Sequence, residues 1–288
     1  MNLALVLALV TFIGWGTGDL FSVVATRKIG ATITTFWVFF FSFLLSLLVL
    51  PFAPHNIQAI TIPLLLLNVF LGILFVSANV LVYEAFRLSS APLVGIIIQG
   101  FPAVVMALSA VVFKDATSLM QWMLAAVVFI GVLLCSVDFQ KVFSAKKLMD
   151  RGTIIALIAM IFLSIFFTFS RILINAYDWF LPTFIASACF PVIYFFIRKR
   201  KEQFILPRDP RIIVALCMGG LLIRSADFAL NYGLSIPGAS SLVAPISAAA
   251  PILFTILSYF IFRDKLTKQQ IIGIVITLAG IVALSVFH

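Results

Sequence analysis

The stretch 93-LVGIIIQGFPAVVMALSAVVFKDATSLMQWMLAAVVFIG-131 contains two apolar runs, with a proline inside the first and a Phe-Lys-Asp turn between them. A shift of 149 positions brings the pattern back without a gap, as 242-LVAPISAAAPILFTILSYFIFRDKLTKQQIIGIVITLAG-280. When Tyr83–Val137 is aligned with Tyr232–Val286, 13 of 55 positions are identical. The identical residues of the first copy are Tyr83, Leu93, Val94, Ile97, Pro102, Leu108, Ser109, Phe113, Asp115, Gln121, Gly131, Ser136 and Val137. Because a shared Pro, Asp, Gln and Gly are hard to obtain from apolar composition alone, the sequence predicts two copies of one unit.

The composition is typical of a membrane protein. Of 288 residues, 64% are hydrophobic and only 10% are charged, whereas a soluble domain averages about 25% charged residues. A helix needs about 20 apolar residues to cross the hydrocarbon core. Such runs cover 3–25, 33–52, 64–86, 93–113, 119–137, 153–174, 179–197, 212–230, 242–262 and 271–287. The prediction is an all-α membrane protein with ten transmembrane helices and no large extramembrane domain; the continuous runs exclude an alternating, porin-type barrel.

The basic residues are distributed unevenly between the two sides of these ten spans. The odd-numbered loops hold 16 of the 19 Lys and Arg residues, and the opposite side holds only Lys114. The positive-inside rule predicts a multi-pass protein of the cell (inner) membrane with odd-numbered loops in the cytoplasm and both termini outside. Because each unit has five spans, an odd number, the second unit is expected to be inverted relative to the first.

The most hydrophilic run in the first part of the chain separates the two units. It carries Lys141, Lys146, Lys147 and Arg151. The predicted domains are therefore a first five-helix repeat at 1–140, a cytoplasmic linker at 141–152 and a second five-helix repeat at 153–288.

Five charged residues fall inside predicted spans: Asp19, Glu84, Arg171, Arg224 and Asp227. A charge inside a span costs about 2.5–3.5 kcal/mol on insertion scales, so such residues usually face a bundle interior or a cavity. Helical spacing places the polar residues of spans one and three on stripes that match those of spans six and eight. Four polar faces that meet on one axis would form a charged cavity with aromatic walls.

The polar and aromatic residues of these spans are candidates for substrate binding, and three prolines are candidate hinges. The two arginines would attract an anionic group such as a carboxylate, and the aromatic side chains would pack against apolar parts of a substrate. Asp19, Glu84 or Asp227 could carry a coupling proton, since burial favours the neutral form of a carboxyl group. The binding candidates are Trp15, Asp19, Phe75, Asn79, Tyr83, Gln99, Arg171, Arg224, Asp227, Asn231 and Tyr232, and the hinge candidates are Pro102, Pro245 and Pro251.

Each of these residues also has a simpler interpretation. Arg224 and Asp227 could form a plain intrahelical ion pair, because they are three positions apart. Arg171 could extend its side chain to the outer surface, and Asp19 and Glu84 could reach water or a nearby arginine. The matched prolines could be packing kinks without a ligand. A charged cavity between spans suggests a membrane carrier. The alternative is a non-transporting membrane scaffold or a lipid-handling partner subunit.

The sequence offers no pattern for catalysis, a cofactor or a metal. The histidines are His55, in a loop, and His288, the last residue. HExxH, GxSxG and P-loop patterns are absent from the sequence, so we do not predict an enzyme. The basic residues lie in short loops rather than on one continuous face, which argues against nucleic acid as a partner. The expected partners are the lipid bilayer, a small-molecule substrate and a coupling proton.

The paired signature resembles the EamA domain of the drug/metabolite transporter superfamily. The residues that carry the resemblance are Phe113-Lys114-Asp115, Gln121 and Gly131 in the first copy, Phe262-Arg263-Asp264, Gln270, Gly273 and Gly280 in the second, and Gly14-Trp15-Gly16 in span one. The first copy departs from the pattern at Leu124, where the second has Gly273. The resemblance implies a ten-helix carrier. It also implies that spans three, four, eight and nine surround a central cavity, with spans five and ten outside it. It does not imply a substrate. Our hypothesis is a secondary active transporter that moves a small polar metabolite, such as an amino acid-like compound or an organic anion, across the cytoplasmic membrane by alternating access.

Overall fold

The computed structural model describes residues 3–53, 56–114, 118–136, 150–199, 203–236, 243, 246–247, 249–263 and 266–286. The helices of the described part are α1 Leu3–Ile29, α2 Ala31–Val49, α3 Ile62–Leu88, α4 Ala91–Ile98, α5 Phe101–Val112, α6 Leu119–Ser136, α7 Arg151–Ala176, α8 Leu181–Ala188, α9 Ile193–Lys199, α10 Pro210–Ser235, α11 Ala250–Phe262 and α12 Lys268–Val286. Two short 3₁₀ turns accompany them, at Ile57–Ala59 and Phe190–Val192.

These helices form ten membrane-spanning segments, which confirms the predicted fold class. Seven segments are long and apolar enough to cross a bilayer by length and composition, and three shorter apolar helices complete the set. Span four consists of α4 and α5, and span seven of α8 and α9. The protein is therefore an all-α membrane protein built from two inverted five-helix repeats.

Hydrogen bonds between loops agree with the alternation of the spans. Ser89, after span three, donates its hydroxyl to Asp150, before span six, at 3.2 Å. On the other side, the backbone N–H of Asn56 donates to the carboxylate of Asp178 at 3.1 Å. We call the side of the odd-numbered loops the basic side and the other the opposite side.

The fourth span shows the repeat at the level of single residues. Helices α5 and α11 begin at Phe101 and Ala250, which are 149 positions apart, and each has a proline in its first turn. The turns after them contain Lys114 and Arg263, with φ of 57° and 51°. A left-handed residue is a common way to end a helix. The shared Phe-basic pair therefore marks the same helix end in both repeats, and the Asp that follows it lies outside the described residues.

The shared glutamine of each repeat is part of a helix cap. The side chain of Gln121 accepts from the backbone N–H of Ser118 at 2.8 Å, and the Ser118 hydroxyl accepts from the Gln121 N–H at 3.2 Å. Thr267 and Gln270 make the same two bonds at 2.9 and 3.2 Å. This reciprocal arrangement satisfies backbone donors that a helix start leaves unpaired. It explains why the glutamine occurs in both copies.

Span seven differs from the single helix predicted over 179–197. Pro191 lies in a 3₁₀ turn that separates α8 from α9. A proline inside a helix removes a backbone donor and clashes with the preceding turn. The repeat mate of this span, α2, continues without a break.

Close contacts at glycines hold the two repeats together. A Cβ on Gly131 would lie 2.7 Å from the backbone nitrogen of Thr277, and one on Gly280 would lie 2.8 Å from a methyl group of Val128. These two contacts are repeat mates, so α6 and α12 cross on the symmetry axis. Likewise, a Cβ on Gly14 would lie 2.7 Å from the carbonyl oxygen of Leu222, which brings α1 close to α10.

The first span of each repeat packs between the third and fourth spans of the other. Helix α1 contacts α10 and α11, and α7 contacts α3 and α5. This exchange brings the polar stripes predicted on spans one, three, six and eight to the centre of the molecule.

Candidate functional site

A small internal cavity lies at the centre, between helices of both repeats. Its volume is about 40 Å³. The lining side chains come from α1, α3, α7, α8 and α10, and they are Trp15, Phe75, Phe166, Phe167, Thr183, Ala186, Arg224, Asp227, Leu230 and Asn231. A buried water needs about 10–15 Å³, so the cavity has room for a few water molecules, and a metabolite could enter only if the helices moved apart.

The depth of this cavity follows from helix geometry. Trp15 lies 12 residues after Leu3, about 18 Å along α1, and Arg224 lies 11 residues before Ser235, about 17 Å along α10, at 1.5 Å per residue. The hydrocarbon core is about 30 Å thick. The charged part of the cavity is therefore close to mid-membrane, and its other lining residues on α10 and α8 extend toward the opposite side.

A charged cluster joins the two repeats at this point. Nη1 of Arg224 lies 3.2 Å from Oδ2 of Asp227, three positions along α10. The indole Nε1 of Trp15 on α1 donates a hydrogen bond to Oδ1 of Asp227 at 2.9 Å. Each carboxylate oxygen of Asp227 thus has its own partner, and one partner belongs to each repeat.

Arg224 is buried with unused hydrogen-bonding capacity. Its side chain is only 2% exposed. Neither Nε nor Nη1 makes a hydrogen bond within the described part of the chain. A buried cation without full hydrogen bonding is costly, so the site offers donors that an anionic group could use.

Aromatic rings form the walls beside this cluster. The rings of Phe75 and Phe166 are stacked, with centroids 4.3 Å apart, and Phe101 stacks on Phe167 at 4.8 Å. These pairs join α3 and α5 of the first repeat to α7 of the second. The cavity therefore combines one polar corner with apolar walls, as small-molecule sites commonly do.

The opposite-side end of the cavity is closed by a short polar and aromatic cluster. The amide of Asn231 donates to the Trp179 carbonyl at 3.3 Å and to the Thr183 hydroxyl at 3.2 Å. The ring of Trp179 lies 5.5 Å from that of Tyr232, whose side chain is exposed. Asn231 therefore lines the cavity, whereas Tyr232 lies outside it.

Asp19 and Tyr83 do not line the cavity and lie next to it on the basic side. Asp19 is half-buried and is close enough to Asp227 for their charges to interact. It has neither an ion-pair partner nor a hydrogen-bond partner among the described residues. Tyr83 is buried and lies near both Ser22 and Asp19. These groups form a second polar layer on the basic side of the Arg224 cluster.

Three other predicted binding residues do not line the cavity. Arg171 is exposed, and its guanidinium carbon lies 5.4 Å from the centre of the Phe113 ring. Gln99 is half-buried at the junction of α4 and α5. The amide of Asn79 donates to the carbonyl of Phe75, one turn earlier on α3, at 2.9 Å.

Glu84 pairs with an arginine, and two of the three predicted hinge prolines lie at helix starts. Glu84 is buried and binds Arg87 through two hydrogen bonds of 3.0 and 2.7 Å. Pro102 and Pro251 occupy equivalent first turns, where span four breaks and where α11 begins. Pro245 lies outside the described residues. All three prolines stay predicted hinges.

Sequence reasoning did not identify several lining residues: Phe166, Phe167, Thr183, Ala186 and Leu230. The two phenylalanines are hard to single out in a chain with 31 of them. The lining also differs from the one that the family resemblance implies, because the described cavity draws on spans one, six and seven rather than on spans four and nine.

Two cation–aromatic contacts flank the cavity on its two sides. On the basic side, the guanidinium carbon of Arg27 lies 4.1 Å from the centre of the Phe262 ring. On the opposite side, Arg171 approaches Phe113 at 5.4 Å. Phe113 and Phe262 are repeat mates, and each is covered by the first span of the other repeat. We call these two contacts the basic-side clasp and the opposite-side clasp.

A larger cavity of about 310 Å³ lies elsewhere, between α1 and α10. It is lined by Val6, Leu9, Val10, Ile13, Gly14, Leu222 and Ser225. Several of these side chains are among the exposed hydrophobic residues, so the groove faces the bilayer. It lacks charged groups, and we assign the smaller, charged cavity as the candidate site.

Comparisons with known proteins agree with this architecture. The model of the EamA-like transporter family matches the chain twice, over residues 2–137 and 150–286. An uncharacterized protein of Methanocaldococcus jannaschii is 26% identical over 141 residues, which are 48% of this chain and 98% of that protein. A solved crystal structure is similar with a TM-score of 0.65 at 16% identity, over 99% of this chain and 97% of that chain. The family model therefore matches once per repeat, and the archaeal relative is about as long as one repeat.

Proposed function

Because this chain belongs to the EamA-like transporter family, we propose that it is a secondary active transporter of a small polar metabolite. It moves an amino acid-like compound or an organic anion across the cytoplasmic membrane by alternating access. The observation that carries this proposal is the cluster of Trp15, Arg224 and Asp227, in which residues of both repeats meet at a cavity near mid-membrane.

The chemistry of the cavity supports this class of substrate. A carboxylate can accept hydrogen bonds from the unused donors of Arg224, and such charge-assisted bonds are stronger than neutral ones. An ammonium group, where the substrate carries one, can pair with Asp227. The stacked rings of Phe75 and Phe166 then contact the apolar part of the substrate.

The small cavity and the two clasps support alternating access. The basic-side clasp is the shorter, and all eight residues of α4 on that side are buried. The longer opposite-side clasp lies nearer to the end toward which the cavity extends. The two clasps act as gates, and release of one with closure of the other moves the site from one side to the other.

Asp19 is our candidate for the coupling-proton site. It is half-buried and has no ion-pair or hydrogen-bond partner in the part of the chain that the structure describes. Its charge is repelled by that of Asp227. Protonation of Asp19 would remove a negative charge next to Asp227 and so change the affinity of the site for a charged substrate. Glu84 is less suited to this role because Arg87 holds it.

The basic side is the cytoplasmic side in this proposal, and the membrane is the cell (inner) membrane. The support is the distribution of Lys and Arg, of which 16 of 19 lie in the odd-numbered loops. A membrane-impermeant reagent that labels a cysteine placed in loop 2–3 of intact cells, but not one placed in loop 7–8, would agree with this orientation.

The proposal is tested first by ligand binding and then by transport. Purified protein is heated with amino acids, sugars and organic anions in turn, because a ligand that binds only the native state raises its stability. Uptake of each stabilising compound is then measured in proteoliposomes. We expect Arg224→Ala to abolish uptake in a protein that is still folded. Wild-type uptake by Arg224→Ala would show that this residue is not part of the site. If no compound stabilises the protein or is taken up, the scaffold function is favoured over the carrier function.

A further inference from the structure

The loop between spans seven and eight lies against the membrane-spanning part of the protein. Its described residues, 203–209, connect to α10 on the basic side. The ring of Phe204 packs edge-on against Phe36 of α2 at 5.0 Å and lies 5.8 Å from Trp37. The indole Nε1 of Trp37 donates to the carbonyl oxygen of Ile205 at 3.2 Å. The loop therefore has a defined position on the surface of α2.

This position places the loop at the membrane interface. Trp37 is six residues after Ala31, so it lies about 9 Å into the membrane from the start of α2. Phe204, Ile205 and Leu206 remain 44%, 46% and 64% exposed. Tryptophan is enriched where acyl chains meet headgroups. The three exposed apolar side chains can thus contact lipid at the boundary between the headgroups and the acyl chains.

Basic side chains flank this apolar tip. Arg198 before it, and Arg208 and Arg211 after it, are all exposed. Residues 198–211 contain six Lys or Arg and two acidic residues. One of the acidic residues, Asp209, caps α10 by accepting the backbone N–H of Arg211 at 2.9 Å. The segment therefore combines membrane contact with a surplus of positive charge.

The equivalent loop of the first repeat has no such charge. The repeat mates of Arg198, Arg208 and Arg211 are Val49, Ala59 and Ile62, and 49–62 contains no Lys or Arg. The first repeat therefore forms the equivalent loop, on the opposite side, without basic residues. The charge is a property of the basic side alone and is not required by the fold.

We propose that residues 203–211 form a binding site for the headgroup of an anionic phospholipid. Arg208 and Arg211 contact the lipid phosphate, and Phe204, Ile205 and Leu206 pack against the start of the acyl chains. Anionic lipid attracts basic segments next to membrane spans, and the attraction falls off within a Debye length. This site goes beyond the transport function and depends only on the protein being in a bilayer.

The test compares thermal unfolding of the full-length protein in nanodiscs of two compositions. One is phosphatidylcholine alone, and the other is equimolar phosphatidylcholine and phosphatidylglycerol. We expect phosphatidylglycerol to raise the melting temperature of the wild type by a few degrees. The double variant Arg208→Gln/Arg211→Gln should lose this increase. The control Arg151→Gln/Lys268→Gln removes the same charge from exposed positions of the basic side and should keep it.

Two further arms need no variant. Raising the salt concentration should shrink the increase for the wild type, because salt screens exposed charges. Soluble glycerol phosphate added to phosphatidylcholine nanodiscs should have no effect. The proposal is overturned if Arg208→Gln/Arg211→Gln gains as much stability as the control, if the increase does not depend on salt, or if glycerol phosphate reproduces it. Because uptake plays no part in these measurements, their failure would leave the transport proposal standing.

Discussion

The indole of Trp15 donates to Oδ1 of Asp227 at 2.9 Å, and the two residues belong to different repeats. This bond ties the first span of one repeat to the third span of the other at the depth of the cavity. It leaves Oδ2 of Asp227 facing Arg224 at 3.2 Å. Trp15 therefore orients the carboxylate that neutralises the buried arginine.

Trp15→Phe keeps the aromatic wall and removes the donor. A hydrogen bond to a charged group contributes about 1.5–3 kcal/mol. Because about 1.4 kcal/mol corresponds to a factor of ten, we expect the substrate affinity to fall by about tenfold or more. The measurement is a titration of thermal stability with the compound found by screening. Trp122→Phe is the matched control, because Trp122 is 42% exposed on α6. Equal affinities of the two variants would show that the bond does not shape the site.

Asp227→Asn should destabilise the protein strongly. Loss of one partner of a buried ion pair costs about 3–5 kcal/mol, because the other charge stays buried, and Arg224 is only 2% exposed. Glu84→Gln removes the carboxylate of the other intrahelical pair. Arg87 in that pair is 47% exposed and can be hydrated, so a smaller loss is expected. Thermal unfolding in detergent compares the two variants, and a larger loss for Glu84→Gln would contradict this explanation.

Removal of one clasp should favour opening on that side. Phe262→Ala deletes the ring beneath Arg27. We expect a cysteine at Leu81, the repeat mate of the cavity residue Leu230, to react faster with a maleimide added from the basic side. Phe113→Ala deletes the ring beneath Arg171 and should leave that rate unchanged or reduce it. The rates are measured in oriented vesicles. If both substitutions speed the reaction equally, general loosening rather than gating is the cause.

Gly131→Val should weaken the contact between α6 and α12. A Cβ at this position would lie 2.7 Å from the backbone nitrogen of Thr277, and overpacking of this kind costs about 1–3 kcal/mol. Ile130→Val changes the neighbouring residue, which is 54% exposed to the bilayer, and should have almost no effect. Melting temperatures of the two purified variants provide the comparison. Unchanged stability of Gly131→Val would mean that the helices can move apart at no cost.

The repeat was predictable because it rests on residues with local roles. Pro102 and Pro251 start helices, Gln121 and Gln270 cap them, and these tasks recur at equal spacing. The break at Pro191 was not predicted, since an apolar run around a proline is also compatible with a kinked helix.

The candidate site was predicted only in part. Arg224, Asp227 and Trp15, which line the cavity, were predicted because charged groups and indole nitrogens are rare inside spans. Arg171 lies on a stripe with Ser164 and Thr168, yet it is five residues from the end of α7 and is exposed beside Phe113. A helical stripe shows which way a side chain faces but not how deep in the membrane it lies. A long cationic side chain near a helix end can leave the bundle interior.

The most direct test of alternating access uses Leu81 and its repeat mate Leu230, which lines the cavity. Each is replaced by cysteine in a chain whose Cys135, Cys189 and Cys217 are changed to serine. The account predicts that Leu230→Cys reacts with a bulky impermeant maleimide only from the opposite side and Leu81→Cys only from the basic side. In the double variant, reaction at one position should then prevent reaction at the other. Labelling of both cysteines in one molecule, or labelling of both from a single side, would contradict the account.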